Sequence, residues 1–236
     1  MSDLLAAEKA HYVQGVFDRI APRYDLMNRL MTAGQDIRWR KLVIEKAHLN
    51  AGSILLDLGA GTGDLAREAI KRHPDCHLVA ADFTVEMMRI GKQRNTQHLD
   101  WSAADAQLLP FPDQSFDAVV SGFLLRNVTD LKAALSEQFR VLKPGGRVVS
   151  LDTTRPQPSI LLPFIRFYMR RVIPLLGTVI TGQTDAYTYL PVSSENFLRA
   201  EELLARLAVA GFQQVGFTRL MFGTVAIHWG RKQQAI

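Results

Sequence analysis

Short, nearly continuous apolar runs that alternate with helical stretches constrain the fold of this chain more than any other feature. Such runs are typical of strands that are buried on both faces of a parallel sheet. They occupy residues 54–58, 77–81, 116–120 and 147–151, and two further runs, 215–220 and 224–229, predict a closing antiparallel hairpin around Gly223. The sequence therefore predicts an α/β fold with an open, doubly wound and mostly parallel sheet.

The remaining regions predict one domain with helical additions. We expect a helical N-terminal cap over 1–50, a cofactor-binding core over 51–152, a substrate lid insertion over 153–200, and a closing helix and hairpin over 201–236. With 47% hydrophobic and 22% charged residues, the composition excludes a disordered or collagen-like chain. Cys76 is the single cysteine, which excludes an intramolecular disulfide, and Pro74 breaks the helix that a His73–His77 metal pair would need, so no metal site is predicted.

A glycine-rich turn follows the first apolar run, in the segment Asp57-Leu58-Gly59-Ala60-Gly61-Thr62-Gly63. Glycine is needed where the backbone takes positive φ or approaches a ligand closely. The third glycine of the dinucleotide fingerprint is missing, and the strand ends in an acid, which suits a cationic amine better than a pyrophosphate. A tight turn that binds nothing is the alternative for such a loop taken alone.

Two further acids follow the next strands. Asp82 lies 19 residues after Gly63, where a carboxylate can accept both hydroxyls of a ribose, and Phe83 can pack against an adenine face. Asp105 follows the third predicted strand. Three acids around a glycine loop would repel a phosphate, so the pattern argues against NAD and for S-adenosylmethionine.

Six segments of this chain carry a family resemblance. DLGAGTG at 57–63 and LKPGGR at 142–147 resemble class I S-adenosylmethionine-dependent methyltransferases in general. The more specific segments resemble the ubiquinone/menaquinone biosynthesis C-methyltransferase family, and they are VFDRIAPRYDLMN at 16–28, LPFPD at 109–113, LRNVTD at 125–130 and DAYTYL at 185–190. These segments span nearly the whole chain and keep the order of the family.

The resemblance implies a seven-stranded Rossmann-like sheet and the C-methylation of a prenylated quinol ring, with demethylmenaquinol as the first candidate. It places catalysis at Arg126, Asn127 and Asp25, and substrate binding at Tyr24 and Tyr187. Together with the loop analysis it predicts the cofactor contacts Asp57, Gly59, Gly61, Thr62, Gly63, Asp82, Phe83, Asp105, Ala106 and Gly122.

The sequence also departs from the usual pattern of that family. Asp105 stands where asparagine is common, and Gly122 stands where some members have a serine. Leu-Asp-Thr-Thr-Arg-Pro at 151–156 replaces the commoner Leu-Glu-Phe-Ser-Lys-Pro. The last of these changes falls on the expected substrate side. A methyltransferase for another small or lipid acceptor therefore stays an alternative.

The net charge of +5 favours an anionic partner. A nucleic-acid-binding module is the second alternative, although no interleaving of aromatic and basic residues or known nucleic-acid motif supports it. The apolar stretch 160–180 contains Arg166, Arg170 and Arg171, and it is either a lid packed over the sheet or an interfacial helix that meets an anionic membrane. We expect a cytoplasmic protein at the inner face of the cytoplasmic membrane, with a homodimer as an open alternative and no nucleic acid bound.

Overall fold

The computed structural model describes residues 2–94, 99–182 and 184–234, and its central element is a seven-stranded sheet. The strand order is β3-β2-β1-β4-β5-β7-β6, and β7 runs antiparallel to both of its neighbours while the other pairings are parallel. The strands are β1 (Ile54–Leu58), β2 (His77–Asp82), β3 (Leu99–Ala103), β4 (Phe116–Gly122), β5 (Leu142–Thr153), β6 (Gln213–Leu220) and β7 (Val225–Arg231). The predicted fold class, including the C-terminal hairpin, is confirmed.

Helices flank the sheet and cover its carboxyl-terminal edge. They are α1 (Ser2–Ile20), α2 (Tyr24–Met31), α3 (Asp36–Ala47), α4 (Asp64–Arg72), α5 (Val85–Gln93), α6 (Leu131–Val141), α7 (Leu162–Phe167), α8 (Ile173–Thr181), α9 (Thr184–Asn196) and α10 (Ala200–Val209). A π-helical turn, Tyr168–Val172, joins α7 to α8. Along the described ranges, no helix is both long enough and apolar enough to cross a membrane.

Side chains alternate between the two faces of the sheet, and each face has its own apolar core. Leu56, Leu58, Val119 and Val148 pack under α6 and α10. The opposite face includes Leu55, Val120, Val149 and Ile227, and it packs under α3 and α4. Through Trp39, Val43 and Ile44, helix α3 is thus part of this core layer rather than of a separate cap.

The remaining part of the predicted cap forms a third apolar cluster with the lid. Val16 and Ile20 of α1 pack with Met27 of α2, Met87 of α5 and Tyr187 of α9. Ile173 and Leu176 of α8 pack against the same cluster. The N-terminal helices and the 153–200 insertion therefore stabilise each other, and this contact brings α2 to the glycine loop.

Candidate functional site

The glycine loop adopts a backbone conformation that only glycine takes without strain. Gly59, Gly61 and Gly63 have φ values of 67°, 57° and 85°, in the left-handed region. A Cβ on Gly63 would lie 2.9 Å from the ring of Trp101, so this turn also needs glycine for space. The loop can consequently leave β1 and start α4 within a few residues, with its backbone exposed to a ligand.

Asp82 at the end of β2 holds the glycine loop in place. Its Oδ2 accepts the backbone N–H of Gly61 at 2.7 Å, and its Oδ1 accepts the N–H of Thr84 at 2.7 Å. Burial raises the pKa of this carboxyl, and the backbone hydrogen bonds from Thr84 and Gly61 oppose that rise. A carboxylate oxygen has more than one acceptor position, so both oxygens can still accept a ligand hydroxyl.

Asp57 is a buried acid with one unused oxygen. Its Oδ2 accepts the N–H of Ala66 at 2.9 Å, whereas Oδ1 has no hydrogen-bond partner among the described residues. The pKa of Asp57 is raised to about 7, mainly by burial and also by the neighbouring carboxylates of Asp82 and Asp64, while the hydrogen bond from Ala66 opposes the rise. A cationic ligand amine would give this oxygen a partner and favour the charged form.

The pKa of Asp57 predicts how the ligand-free protein depends on pH. The folded state holds this proton up to about pH 7, while the unfolded chain releases it near the ordinary pKa of 3.8. The stabilising contribution therefore falls as pH rises between these two values, and it is lost above about pH 7. Between pH 5 and pH 8, we expect the melting temperature of the native chain to fall by about 5 °C or more relative to that of Asp57→Asn. Thermal melts of both proteins over this range provide the measurement, and parallel curves would contradict the assignment.

A cavity of about 110 Å³, here called the loop cavity, lies against the glycine loop. It brings together most of the residues that the sequence predicted as cofactor contacts, namely Gly59, Gly61, Asp82, Phe83, Asp105, Ala106 and Gly122. Asp57 and Thr62 line a smaller adjoining recess of about 40 Å³, which shares Gly59, Gly61 and Gly122 with the loop cavity. Gly63 lines neither space and acts through the loop conformation.

The donors and acceptors of this region fit an adenosine that carries an amine. The unpartnered Asp57 oxygen suits a cation, Asp82 suits vicinal hydroxyls, and Phe83 offers an aromatic face. Asp105 accepts hydrogen bonds from the backbone and the side chain of Gln107, at 2.9 and 3.2 Å. Gln107 also lines the cavity, and the sequence analysis did not single it out.

Asp25 lies at the glycine loop rather than among the acceptor groups. Its Oδ1 accepts the hydroxyl of Thr62 at 2.8 Å, and its Oδ2 forms an ion pair with Arg94 at the end of α5. Both carboxylate oxygens of Asp25 thus contact residues at or near the glycine loop, namely Thr62 and Arg94. The arrangement makes Asp25 a clamp between α2 and the loop, and its catalytic role stays a prediction.

The predicted catalytic residue Arg126 forms a buried ion pair that the sequence analysis did not foresee. Its Nη1 donates to Oδ1 of Asp152 at 2.7 Å, and its backbone N–H donates to Oδ2 at 3.3 Å. Both side chains are almost fully buried. The guanidinium lies 5.2 Å from the centre of the Phe123 ring. Removing one side chain of such a pair typically lowers the free energy of unfolding by about 3–5 kcal/mol. We therefore expect the pair to hold the guanidinium in one position.

Arg126 lines a second and much larger cavity of about 480 Å³, here called the apolar cavity. Side chains of α2, α3, the lid and the β6–β7 turn enclose it, and they include Asn28, Met31, Trp39, Leu161, Phe164, Ile165, Tyr168, Met169, Ile173, Met221, Phe222 and Val225. Tyr24 and Phe123 line both the apolar cavity and the loop cavity. The two spaces therefore meet at this pair of aromatic residues.

The other predicted site residues differ in whether their side chains line a cavity. Asn127 lines the loop cavity, donates from Nδ2 to the carbonyl oxygen of Phe123 at 2.9 Å, and accepts the hydroxyl of Tyr189 at 3.1 Å. Burial raises the pKa of Tyr24, and the amide of Asn28 and the charge of Arg126 oppose that rise. Tyr187 was predicted to bind substrate, but it is 1% exposed, packs in the third apolar cluster and lines neither cavity.

No group of histidine, cysteine and acidic side chains within the described part of the chain is arranged to hold a metal ion. His73 and His77 thus remain outside any such group. The polar groups that line the three spaces include carboxylates, amides, guanidinium groups and tyrosine hydroxyls.

Comparisons with known proteins agree with this geometry. The model of the ubiE/COQ5 methyltransferase family matches residues 5–232. The chain is 47% identical over 221 residues to the ubiquinone/menaquinone biosynthesis C-methyltransferase UbiE of Desulfotalea psychrophila, covering 93% of this chain and 90% of that protein. It is 44% identical over 218 residues to the demethylmenaquinone methyltransferase of Thermus thermophilus, covering 91% and 99%.

A likeness to solved structures supports the fold. One of them, from Thermotoga maritima, is an S-adenosylmethionine-dependent methyltransferase described as a possible histamine N-methyltransferase. It superposes with a TM-score of 0.66 at 19% identity and covers 94% of this chain and 100% of that chain.

Proposed function

The chain belongs to the ubiE/COQ5 methyltransferase family, and on that premise we propose that it transfers a methyl group from S-adenosylmethionine to a ring carbon of a prenylated quinol in menaquinone or ubiquinone biosynthesis. Demethylmenaquinol is the acceptor that we propose first, with menaquinol as the product. One observation carries the proposal. An apolar cavity, lined by Arg126 of the buried Arg126–Asp152 ion pair, adjoins the cofactor region through Tyr24 and Phe123.

The two spaces suit the two reactants. We assign S-adenosylmethionine to the loop cavity and the adjoining recess, where Asp57 would hold the amine and Asp82 the ribose. The apolar cavity is lined mostly by hydrophobic side chains and is large enough to take a ring together with the first part of a prenyl tail. Since the spaces meet at Tyr24 and Phe123, the ring and the methyl donor would approach each other there.

When bound, S-adenosylmethionine supplies a methyl group that its sulfonium already activates. The chain has to orient the acceptor, exclude water and stabilise the charge that develops on the ring. Methylation at carbon needs an electron-rich ring, so a ring hydroxyl gives its proton to water. The methylated ring carbon then releases its hydrogen to water as a proton, which restores the aromatic ring. Arg126 is always charged and sits on the cavity wall, so it favours the phenolate over the phenol. Asp152 holds the guanidinium in place and does not itself reach the ring in this assignment.

A labelled-methyl transfer assay tests the proposal directly. Purified protein would receive labelled S-adenosylmethionine with a short-chain quinol, a simple phenol or RNA as the acceptor. We expect most of the label in the quinol, bound to a ring carbon, and less in the phenol, which lacks the prenyl chain and the second oxygen. Label mainly in the phenol or in another small acceptor would leave the methyltransferase assignment intact and replace the acceptor, whereas labelled RNA would overturn the acceptor class altogether.

We also propose that the lid meets a membrane surface. Apolar side chains of α7 and its flank are largely exposed, with Ile160 at 90% and Phe164 at 72%. Phe164 and Leu161 line the apolar cavity as well as facing outward, so a prenyl tail could pass between these side chains from a bilayer. Arg170 is ion-paired with Glu195, at 2.6 Å between Nη2 and Oε2. The cationic part of the attraction would therefore come mainly from Arg166 and Arg171.

Vesicle binding provides the measurement for this prediction. We expect anionic vesicles to retain the protein at low salt, and to retain less of it at 1 M salt, where the screening length is about 3 Å. Phe164→Ser combined with Phe167→Ser should release the protein, and so should glutamine at Arg166 and Arg171. Val209→Ser is the matched control, because Val209 is 80% exposed on α10. Retention that responds to neither salt nor the replacements would mean that α7 and α8 form only a lid.

The same proposal places the protein in the cytoplasm, at the inner face of the cytoplasmic membrane. The homodimer stays a prediction, and sedimentation analysis of the purified chain would test it.

A further inference from the structure

We propose that Thr153 is a specificity-determining residue whose hydroxyl binds a second oxygen of the acceptor ring, opposite to the oxygen that Arg126 stabilises. The inference rests on the proposed function, since it takes a dihydroxylated ring as the acceptor. We expect Thr153 to let the site distinguish an acceptor ring with two oxygens from a ring with one.

The hydroxyl of Thr153 is a polar group for which the protein supplies no counterpart. Thr153 lies at the end of β5 and lines the apolar cavity. Its Oγ1 is buried and has no hydrogen-bond partner within the described ranges. A buried hydroxyl without a partner costs free energy, typically about 1–3 kcal/mol, so a ligand that satisfies it gains affinity.

The backbone fixes Thr153 relative to Arg126. The Asp152 carboxylate accepts the N–H of Thr153 at 2.8 Å and the guanidinium of Arg126 at 2.7 Å, both on Oδ1. The backbone of Thr153 and the guanidinium of Arg126 are thus held by one buried carboxylate. A planar ring with oxygens at two positions can use both groups at once, and their fixed relation then sets which ring carbon faces the loop cavity.

Asn28 is a second side chain of this cavity with an unpartnered polar atom, because its Nδ2 is buried and has no hydrogen-bond partner among the described residues. The amide of Asn28 lies against the hydroxyl of Tyr24, four residues earlier on α2, and it lowers the pKa of that tyrosine. Tyr24 lines both cavities. Asn28 lies on α2, whereas the backbone of Thr153 and the guanidinium of Arg126 share the Asp152 carboxylate, so Thr153 is the donor whose position is fixed relative to Arg126.

Two acceptors and two variants test the proposal. The acceptors are a short-chain dihydroxy quinol and the matched compound that keeps the hydroxyl activating the ring carbon but lacks the second one. Thr153→Val removes the hydroxyl at nearly constant volume, and Thr153→Ser retains it. For Thr153→Val we expect kcat/KM to fall about ten- to a hundred-fold with the dihydroxy acceptor and to stay nearly unchanged with the other. Thr153→Ser should restore most of the native value.

The outcomes separate this proposal from the proposed function. If the native protein methylates neither ring, the proposed acceptor is wrong and the role of Thr153 falls with it. If the native protein methylates the quinol and Thr153→Val lowers kcat/KM equally for both compounds, the residue is structural and the proposal is overturned. An unchanged kcat/KM for Thr153→Val with the dihydroxy acceptor overturns it as well.

Discussion

Replacing Arg126 with alanine is expected to lower kcat by about 10²- to 10³-fold, the size of effect found when a preorganised charge-stabilising donor is removed. The reason is that the guanidinium lines the acceptor cavity and is held there by Asp152 at 2.7 Å. Without it, the acceptor oxygen keeps its proton more readily, and the ring carbon is a weaker nucleophile. Steady-state kinetics with a short-chain quinol provide the measurement.

The affinity for S-adenosylmethionine should hardly change in this variant, because Arg126 does not line the loop cavity. Calorimetric titration checks this expectation. The substitution also leaves a buried acid without its counterion, so the free energy of unfolding should fall by about 3–5 kcal/mol. Asp152→Asn should likewise lower both stability and kcat, because it loosens the guanidinium.

Arg140→Ala is the control that separates a loss of stability from a loss of catalytic activity. Arg140 forms ion pairs with Glu137 and Asp113 and donates to the carbonyl oxygen of Phe111, and it lines neither cavity. Its loss should lower the melting temperature while kcat at a permissive temperature stays near the native value. If Arg126→Ala and Arg140→Ala lowered kcat to the same extent, the role of Arg126 would be structural.

The fold was largely predictable because buried strands leave a direct pattern in the sequence. The runs at 54–58 and 77–81 became β1 and β2 with almost the same bounds, and helix α3 lies in the region 1–50 that was predicted to be helical. The position of α3 was not predictable in the same way. Trp39, Val43 and Ile44 form the buried face of this helix, and no local pattern says which surface covers them; that surface is the sheet.

The cofactor side of the site was also predictable, for a geometric reason. The carboxyl ends of neighbouring parallel strands meet at one edge of a sheet, so Asp57, Asp82 and Asp105 had to lie near each other once the strand order was known. The loop cavity and its recess bring these three residues together. Strand ends and glycine spacing point to these three acids, whereas the family resemblance contributed to the prediction of Ala106 and Gly122.

The acceptor side depends on contacts that spacing does not encode. Arg126 and Asp152 are 26 residues apart and follow or end different strands, and no local pattern pairs them. Asp25 was assigned to catalysis, yet its partner Thr62 is 37 residues away, on the loop. Tyr187 could equally have been a ligand contact or a core residue, since a tyrosine ring suits both. In the structure its ring packs closely against Gly177 in the third apolar cluster.

Asp82→Ala is expected to weaken the binding of S-adenosylmethionine by about 100-fold or more. The substitution removes the acceptor for the backbone N–H groups of Gly61 and Thr84, each held at 2.7 Å, as well as the proposed ribose contact. Hydrogen bonds to a charged group contribute about 1.5–3 kcal/mol each, and a factor of ten in affinity corresponds to about 1.4 kcal/mol. Isothermal titration calorimetry on the native protein and the variant gives both dissociation constants.

Two other acids show whether the effect is specific to Asp82. Asp100 is exposed on the neighbouring strand β3, so Asp100→Ala should bind the cofactor like the native protein. Asp105→Ala should weaken binding less than Asp82→Ala, because the Asp105 carboxylate is already engaged by Gln107 rather than by the glycine loop. Asp82→Asn should lie between the native protein and Asp82→Ala, since an amide oxygen can still accept one backbone N–H. Equal losses for Asp82→Ala and Asp100→Ala would point to a general effect of charge, and tight binding of NADH by the native protein would refute the assignment of this cavity to S-adenosylmethionine.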